Sequence, residues 1–120
     1  MEQIFYENSQ CIRVYLGKET VVDPYEKNTE VSLLNPIPVK AIVADLVASQ
    51  IQWKMPGIVA NKAKEIYVEK KHRTLLEKSQ KISVKENNTW VEFEGWRVNG
   101  QMQIREEGDF LRVYIYSKHV

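Results

Sequence analysis

The strongest constraint on the fold is the alternation of extended runs and turn residues between Glu94 and Lys118. Two extended runs flank Asn99-Gly100, a dipeptide that tolerates the positive φ angles of a two-residue hairpin turn. A third extended run follows Glu-Glu-Gly-Asp at 106–109, where Gly108 can take the left-handed position of a longer turn. The segment therefore predicts a three-stranded antiparallel meander.

The segments before this meander also have the pattern of short strands. Apolar and polar residues alternate with the period of two that is typical of a half-buried strand. Val39 to Ala48 has some helical periodicity, but its β-branched residues and the preceding Pro36 and Pro38 favour a strand. The pattern predicts strands over 10–16, 31–34, 39–48, 64–69 and 80–85, an extended continuation over 49–55, and a strand over 89–98 that enters the meander.

One segment favours a helix. Residues 70–79 are rich in good helix formers, and a helix of this length needs Leu75 and Leu76 to pack onto the sheet. Turn signals recur about every ten residues, which is typical of small all-β domains. We therefore expect a mainly β fold in a single domain over residues 1–120: a small β-barrel or sandwich of about seven antiparallel strands, with one short α-helix and long projecting loops.

The composition excludes several classes of site. The net charge of +1 gives no overall attraction to nucleic acid or to an anionic membrane. Cys11 is the single cysteine, which excludes an internal disulfide and a cysteine-rich zinc site. The first residues lack the pattern of a signal peptide, and no apolar run approaches the roughly 20 residues that span a bilayer. We expect no membrane partner and a protein made inside a cell, or packed in a particle assembled there.

Candidate catalytic and metal-binding residues are few. A cysteine nucleophile needs a nearby base, and the two histidines, His72 and His119, lie in a charged segment and near the end of the chain. A buried or half-buried structural thiol is the simpler interpretation of Cys11. The acidic residues at 106–109 are explained by a hairpin turn, and no glycine-rich phosphate loop occurs. We expect no enzyme activity, no metal and no cofactor.

Three other features remain open between a structural and a functional interpretation. Residues 17–30 form a projecting loop or a loose hairpin tip, which is an ordinary surface connection or a contact arm for a partner. Trp90, Glu92, Glu94 and Trp96 are predicted on one face of their strand, opposite Val91 and Phe93. That face is a solvated sheet surface, a carboxylate pair for acid–base chemistry, or an acidic and aromatic patch that contacts a neighbour.

The third feature is a local excess of basic residues over 62–85. Such an excess is explained by a solvated helix and its flanks, but it could also face phosphates. Aromatic stacking residues, which accompany many nucleic-acid-binding barrels, are represented in this segment by Tyr67 alone. The basic residues are Lys62, Lys64, Lys70, Lys71, Arg73, Lys78, Lys81 and Lys85.

The second half of the chain, from Lys64 to Lys118, resembles the head-closure or head–tail connector proteins of tailed bacteriophages and defective prophages. The resemblance lies in the order strand, short helix, strand, and in three motifs: the strand Gly95–Gly100, the turn ending in Gly108-Asp109, and the amphipathic strand Phe110–Tyr116. The first half is similar in outline only. Members of that family have a small β-barrel with one short helix and long loops.

The resemblance implies a structural component of the virion neck, assembled in the host cytoplasm. Such a protein forms a homo-oligomeric ring that joins the portal or adaptor of the capsid to the tail and helps to retain packaged DNA, with possible non-specific DNA contact in the channel. A loop extends toward the channel in some members. The residues that correspond here lie in 18–30 and 55–63: Val21, Val22, Asp23, Tyr25, Lys27, Pro56, Ile58 and Lys62.

Two alternatives stay open at this point. Tail-completion and tail-terminator proteins share the same strand and turn pattern, so the position in the neck is not fixed by it. The basic segment and the aromatic residues also fit a small-barrel nucleic-acid-binding module. Apolar residues on both faces of the strands favour the assembly role, since ring formation would bury them.

Overall fold

The computed structural model describes residues 8–23, 28–58, 60 and 62–117, and for 18–23 and 28–33 it describes the backbone. The fold is mainly β, as the sequence predicts. Its strands are β1 (Gln10–Asp23), β2 (Asn28–Leu33), β3 (Ile37–Leu46), β4 (Lys62–Glu69), β5 (Ser79–Glu86), β6 (Thr89–Gly95), β7 (Arg97–Val98), β8 (Gln101–Met102), β9 (Ile104–Glu107) and β10 (Phe110–Ser117). Two short helices, α1 (Ala48–Lys54) and α2 (Arg73–Glu77), lie within the described part, and a 3-10 turn (Lys70–His72) leads into α2.

Six strands close into an antiparallel barrel in the order β1-β3-β4-β10-β6-β5, and β5 pairs back onto β1. Alternate residues of each strand point inward and form one apolar core, as the period of two predicts. Leu76 of α2 is fully buried and belongs to the same core. The buried residues of this core are Ile12, Val14, Val39, Ala41, Ile66, Val68, Leu76, Ile82, Val84, Phe93, Met102, Leu111, Val113 and Ile115.

A long β-hairpin extends beyond the barrel. The first part of β1 pairs with β3 from Gln10↔Ala41 to Val14↔Ile37, and the rest of β1 pairs with β2 from Gly17↔Leu33 to Asp23↔Asn28. The 14 residues of β1 span about 46 Å at about 3.3 Å per residue. The molecule accordingly measures 53 Å along its long axis and 30 Å across. We call the paired segments 17–23 and 28–33 the ribbon. Of the two interpretations of residues 17–30, a projecting loop or a hairpin tip, the described residues show the hairpin.

The prediction of a three-stranded meander is wrong in its strand pairing, although both of the predicted turns form. Asn99, Gly100 and Gly108 have φ angles of 53°, 80° and 61°. However, β7 and β8 pair only with each other, whereas β6 and β9 both pair with the same edge of β10. Gly95 lies opposite Ile115, and Ile104 lies opposite Val113. β6 and β9 are therefore one edge interrupted by the small hairpin β7–β8.

The small hairpin is anchored at its base and at its side. The amide of Gln103 donates to the carbonyl of Trp96 at 3.0 Å, which closes the base. The guanidinium of Arg97 donates to the carbonyls of Glu77 and Ser79 at 3.0 and 2.8 Å, which ties the hairpin to the end of α2. Met102 is buried in the main core. These contacts explain why the hairpin leaves the sheet without separating from the barrel.

Residues 49–55 were predicted to be extended, and this prediction is wrong. They form most of α1, in which Ile51 and Met55 are buried and Trp53 is exposed. An i, i+4 pair on one helix face accounts for the two buried residues, whereas a strand would place all three residues on one face. The predicted helix at 70–79 is present as the 3-10 turn followed by α2.

Truncation of the barrel core should be costly. Phe93 is 1% exposed and lies in the main core, so Phe93→Ala should lower the free energy of unfolding by about 3–5 kcal/mol. Urea unfolding followed by circular dichroism measures the change. Val98→Ala, at a residue that is 43% exposed, is the control and should change it by less than about 0.5 kcal/mol. Equal effects of the two substitutions would contradict the placement of the core.

Candidate partner-binding surface

Helix α1 lies on the outside of the barrel and is held there by a second, smaller core. Ile51 and Met55 of α1 pack with Leu46, Ala63 and Tyr116, which come from the ends of β3, β4 and β10. Trp96 and Tyr114 are partly buried against this second core. The packing fixes α1 beside the edge of the sheet where β6 gives way to β9.

A surface groove runs between α1 and this edge and has a volume of about 580 Å³. Trp53 stands at one side of it and is 84% exposed, which is unusual for the largest side chain. The rings of Trp96 and Tyr114 lie in the groove with their centroids 6.3 Å apart. The residues that line it are Trp53, Lys54, Trp96, Gln103, Ile104, Arg105, Arg112 and Tyr114. We call it the aromatic–arginine groove.

A half-buried charge network lies beneath the groove and is centred on Glu65. Its carboxylate accepts a hydrogen bond from Tyr67 at 2.5 Å and contacts Lys54 at 3.2 Å and Arg112 at 3.5 Å. Arg112 also contacts Glu107 at 3.0 Å. Burial alone would raise the pKa of Glu65, but the hydrogen bonds from Tyr67 and Lys54 outweigh it and lower that pKa. Burial and the Glu65 carboxylate raise the pKa of Tyr67, which keeps its hydroxyl a donor.

Arg105 is the cation of the groove for which the described residues supply no carboxylate within 4.0 Å. It is exposed on β9 and lies directly opposite Arg112 of β10. Like charges in directly opposed positions of a sheet are destabilising. The carboxylates of Glu65 and Glu107 compensate Lys54 and Arg112, so one positive charge of the groove remains uncompensated.

One mouth of the barrel holds a second group of charges around Lys64. This side chain points inward in line with Ile66 and is 7% exposed. It donates to Asp45 and lies 2.6 Å from Glu86, which also contacts Lys62 at 2.9 Å. Burial opposes the charge of Lys64, but the hydrogen bonds to Asp45 and Glu86 outweigh it and raise the pKa of Lys64. The same bonds from Lys64 and Lys62 lower the pKa of Glu86.

The structure separates the residues of the predicted interface face. Trp90, Glu92 and Glu94 alternate on β6, but Trp96 follows the strand and packs into the aromatic–arginine groove. The guanidinium of Arg13 lies 4.0 Å from the centre of the Trp90 ring. The carboxylate of Glu92 contacts Lys81 at 2.9 Å. Glu94 is exposed. Burial of Tyr116, together with the nearby Glu94 carboxylate, raises the pKa of Tyr116. Glu92 and Glu94 therefore remain exposed, whereas Trp90 and Trp96 are partly buried.

The predicted channel or partner loops also fall in different places. The backbone of Val21, Val22 and Asp23 belongs to the ribbon, and Tyr25 and Lys27 lie outside the described residues. Pro56 follows α1 and is exposed, whereas Ile58 is partly buried against the second core. Lys62 begins β4 at the barrel mouth. The described members of this set therefore belong to three parts of the fold: the ribbon, the end of α1 and the start of β4.

The basic excess over 62–85 is largely balanced by carboxylates from other segments. Asp45 and Glu86 contact the lysines of the barrel mouth, and Glu106 contacts Arg73 at 3.0 Å. Six cations of this segment have a carboxylate within 3.9 Å: Lys62, Lys64, Lys70, Lys71, Arg73 and Lys81. The segment therefore does not present a continuous positive stripe to phosphates.

Two of the three candidate reactive residues, Cys11 and His72, lie within the described part of the chain. Cys11 is exposed, so the expectation of a buried or half-buried thiol is wrong. His72 is half-buried in the 3-10 turn, and burial together with Lys71 lowers its pKa. His119 lies outside the described residues. Among the residues that are described, no three His, Cys, Asp or Glu side chains are grouped to hold a metal ion, and no helix is long and apolar enough to cross a membrane.

Comparisons of the chain with protein-family models, with curated proteins and with solved structures gave no match.

The sequence patterns do not predict the aromatic–arginine groove, although the positions of Trp53, Arg105 and Arg112 in the sequence bear on it. Trp53 follows Ile51 by two residues, so it was placed on the apolar side of an extended segment rather than on the outer face of a helix. Arg105 and Arg112 are seven residues apart on either side of a turn, and hairpin pairing around Gly108 would have predicted that they face each other.

Acidification should weaken the charge group at the barrel mouth. Because the pKa of Glu86 is lowered in the folded state, its contribution is present above its ordinary value of 4.5 and is lost as the pH falls through the lower folded value. Glu86→Gln should therefore lower the free energy of unfolding by about 1–2 kcal/mol at neutral pH. Below pH 4.5 the variant and the parent should converge, as measured by urea unfolding at a series of pH values.

Glu77→Gln is the matched control, since Glu77 is half exposed and pairs with Arg73 within α2 at 3.5 Å. It should change the free energy of unfolding by less than about 0.5 kcal/mol at neutral pH. A difference between the parent and the Glu86 variant that stays constant with pH would show that the carboxylate charge is not the cause.

Proposed function

We propose that this chain is a structural protein of the neck of a tailed phage or phage-like particle. In this role it forms a ring that joins the portal or adaptor of the capsid to the tail and helps to retain packaged DNA. The resemblance of the second half of the chain to head-closure and connector proteins supports the proposal. The small barrel with projecting elements is compatible with it.

The observation that carries the proposal is the ribbon. It prolongs two strands of the barrel into a molecule that is 53 Å long and 30 Å wide. A two-stranded ribbon gains little stability by itself, because its two edges and both faces are open to solvent. A contact arm acquires its stability from the neighbour that it touches. The ribbon therefore fits a protein that works within an assembly.

The base of the ribbon also presents apolar surface. Leu34 and Ile37 are 46% and 38% exposed where the hairpin enters the barrel. The amide of Leu34 donates to the carbonyl of Leu16 at 2.8 Å, so this apolar surface is fixed relative to the barrel. The ribbon base and the aromatic–arginine groove are distinct surfaces, which suits a component that contacts more than one neighbour.

Loss of the chain from a particle-forming genome should leave DNA-containing or leaking heads without attached tails, because the joint between portal and tail would be absent. Electron microscopy of a lysate measures the fraction of tailed particles. Replacing residues 18–32 by a two-residue Asn-Gly turn should have the same effect while the barrel still folds, since the paired residues of the core lie outside that segment.

An insertion of Gly-Ser between Asn99 and Gly100, at the exposed tip of the hairpin β7–β8, is the matched control for a change at a hairpin tip, and it should leave tailed particles in normal number. Circular dichroism of the purified variants checks that each barrel folds. Normal, DNA-filled, tailed particles in the absence of the chain would overturn the proposed function.

A further inference from the structure

We propose that the aromatic–arginine groove binds a segment of a partner protein in which an apolar side chain stands next to an acidic one. The inference deepens the proposed function, and it rests on that function for the view that the partner is another protein of the assembly. Its physical basis is the lining of the groove, which combines aromatic surface with a single uncompensated cation.

The aromatic lining supplies the apolar contact. Trp53 leaves most of its ring in water, although the other face of α1 is packed against the barrel. Transfer of aromatic surface from water to a protein contact is favourable, and Trp, Tyr and Arg are the residues that most often dominate binding energy at interfaces. Trp96, Tyr114 and Ile104 extend this surface across the floor of the groove. An apolar side chain of a partner would cover it.

The charges of the groove select an acidic neighbour for that side chain. Three cations line the groove, and the two carboxylates that reach them belong to Glu65 and Glu107. Arg105 is left without a carboxylate and faces the like charge of Arg112 across the strand pair. A partner carboxylate beside Arg105 would relieve this repulsion and accept hydrogen bonds from a planar guanidinium.

The same charges disfavour a nucleic acid in this position. Each nucleotide brings a phosphate, and strong binding requires a row of cations that neutralise successive phosphates. The groove offers one uncompensated cation above two carboxylates. Its aromatic rings could still stack on bases, so an oligonucleotide belongs in the test as the competing ligand.

The test uses the full chain labelled with nitrogen-15 and two blocked peptides. The acidic peptide is Gly-Asp-Leu-Glu-Leu-Asp-Gly, and the neutral peptide is Gly-Asn-Leu-Gln-Leu-Asn-Gly. The indole N–H signal of Trp53, assigned by its loss in Trp53→Phe, should shift on titration with the acidic peptide. The acidic peptide should bind about threefold more tightly than the neutral one, which is the size expected of one exposed ion pair.

Arg105→Gln should remove the preference for the acidic peptide, and Trp53→Ala should weaken the binding of both peptides. Lys78→Gln is the matched control, since it removes one exposed cation from the end of α2 and should leave the preference unchanged. Equal binding of the two peptides, no binding of either, or no effect of Arg105→Gln would overturn the proposal. Tighter binding of a short oligothymidylate than of the acidic peptide would also overturn it and would assign the groove to nucleic acid.

This experiment separates the groove from the function on which it rests. Peptide titration uses the isolated chain and does not depend on particle assembly. If neither peptide binds but the chain is still required for tailed particles, the groove proposal is overturned and the neck function stands. If the acidic peptide binds but tailed particles form without the chain, the neck function is overturned and the groove remains a protein-binding site.

Discussion

The architecture depends on the double pairing of β1. One edge of its barrel half pairs with β3 and the other pairs with β5, over Arg13–Leu16. Without the β1–β5 pairing the six strands would form an open sheet with two exposed edges, and the core on its inner face would be open to water. The same strand continues past Leu16 into the ribbon. The strand that closes the barrel is therefore also the strand that continues into the ribbon.

This arrangement bears on the proposed role of the ribbon. A hairpin that continues a barrel strand keeps the direction of that strand. The backbone of an unpaired loop, in contrast, has to become ordered when the loop binds a partner. Fixing a flexible backbone costs roughly 1–2 kcal/mol per residue. The hydrogen bonds between β1 and β2 compensate part of that cost before any partner arrives. In the proposed neck role, the strand pairing of the ribbon would therefore be formed before the ribbon contacts another subunit.

Local sequence patterns predicted most of the barrel, because strand alternation and turn chemistry act over a few residues. The Asn99-Gly100 and Gly108 turns are examples, and so is the strand predicted over 39–48, which the structure confirms as far as Leu46. The strand pairing of residues 94–117 could not be predicted in the same way. Whether β8 or β6 lies beside β10 depends on competition for one strand edge, and that competition is decided by distant parts of the chain.

The surface sites were predicted less well for the same physical reason. Ion pairs such as Arg73–Glu106 and Lys64–Glu86 join residues far apart in sequence. The sequence of the basic segment 62–85 therefore does not show which carboxylates compensate its positive charges. The seven residues of α1 are too few to show a helical period clearly, and the alternation of Ile51, Trp53 and Met55 therefore predicts an extended segment. Tertiary packing of Ile51 and Met55 makes this segment a helix.

The position of this chain in an intact particle would show whether it is a component of the neck, as proposed. Cryo-electron microscopy of particles from the host that carries the gene should show density for the barrel as a ring between portal and tail. The ribbon should reach a neighbouring subunit in that density. Particles with a complete neck in which every ring is accounted for by other chains would contradict the claim.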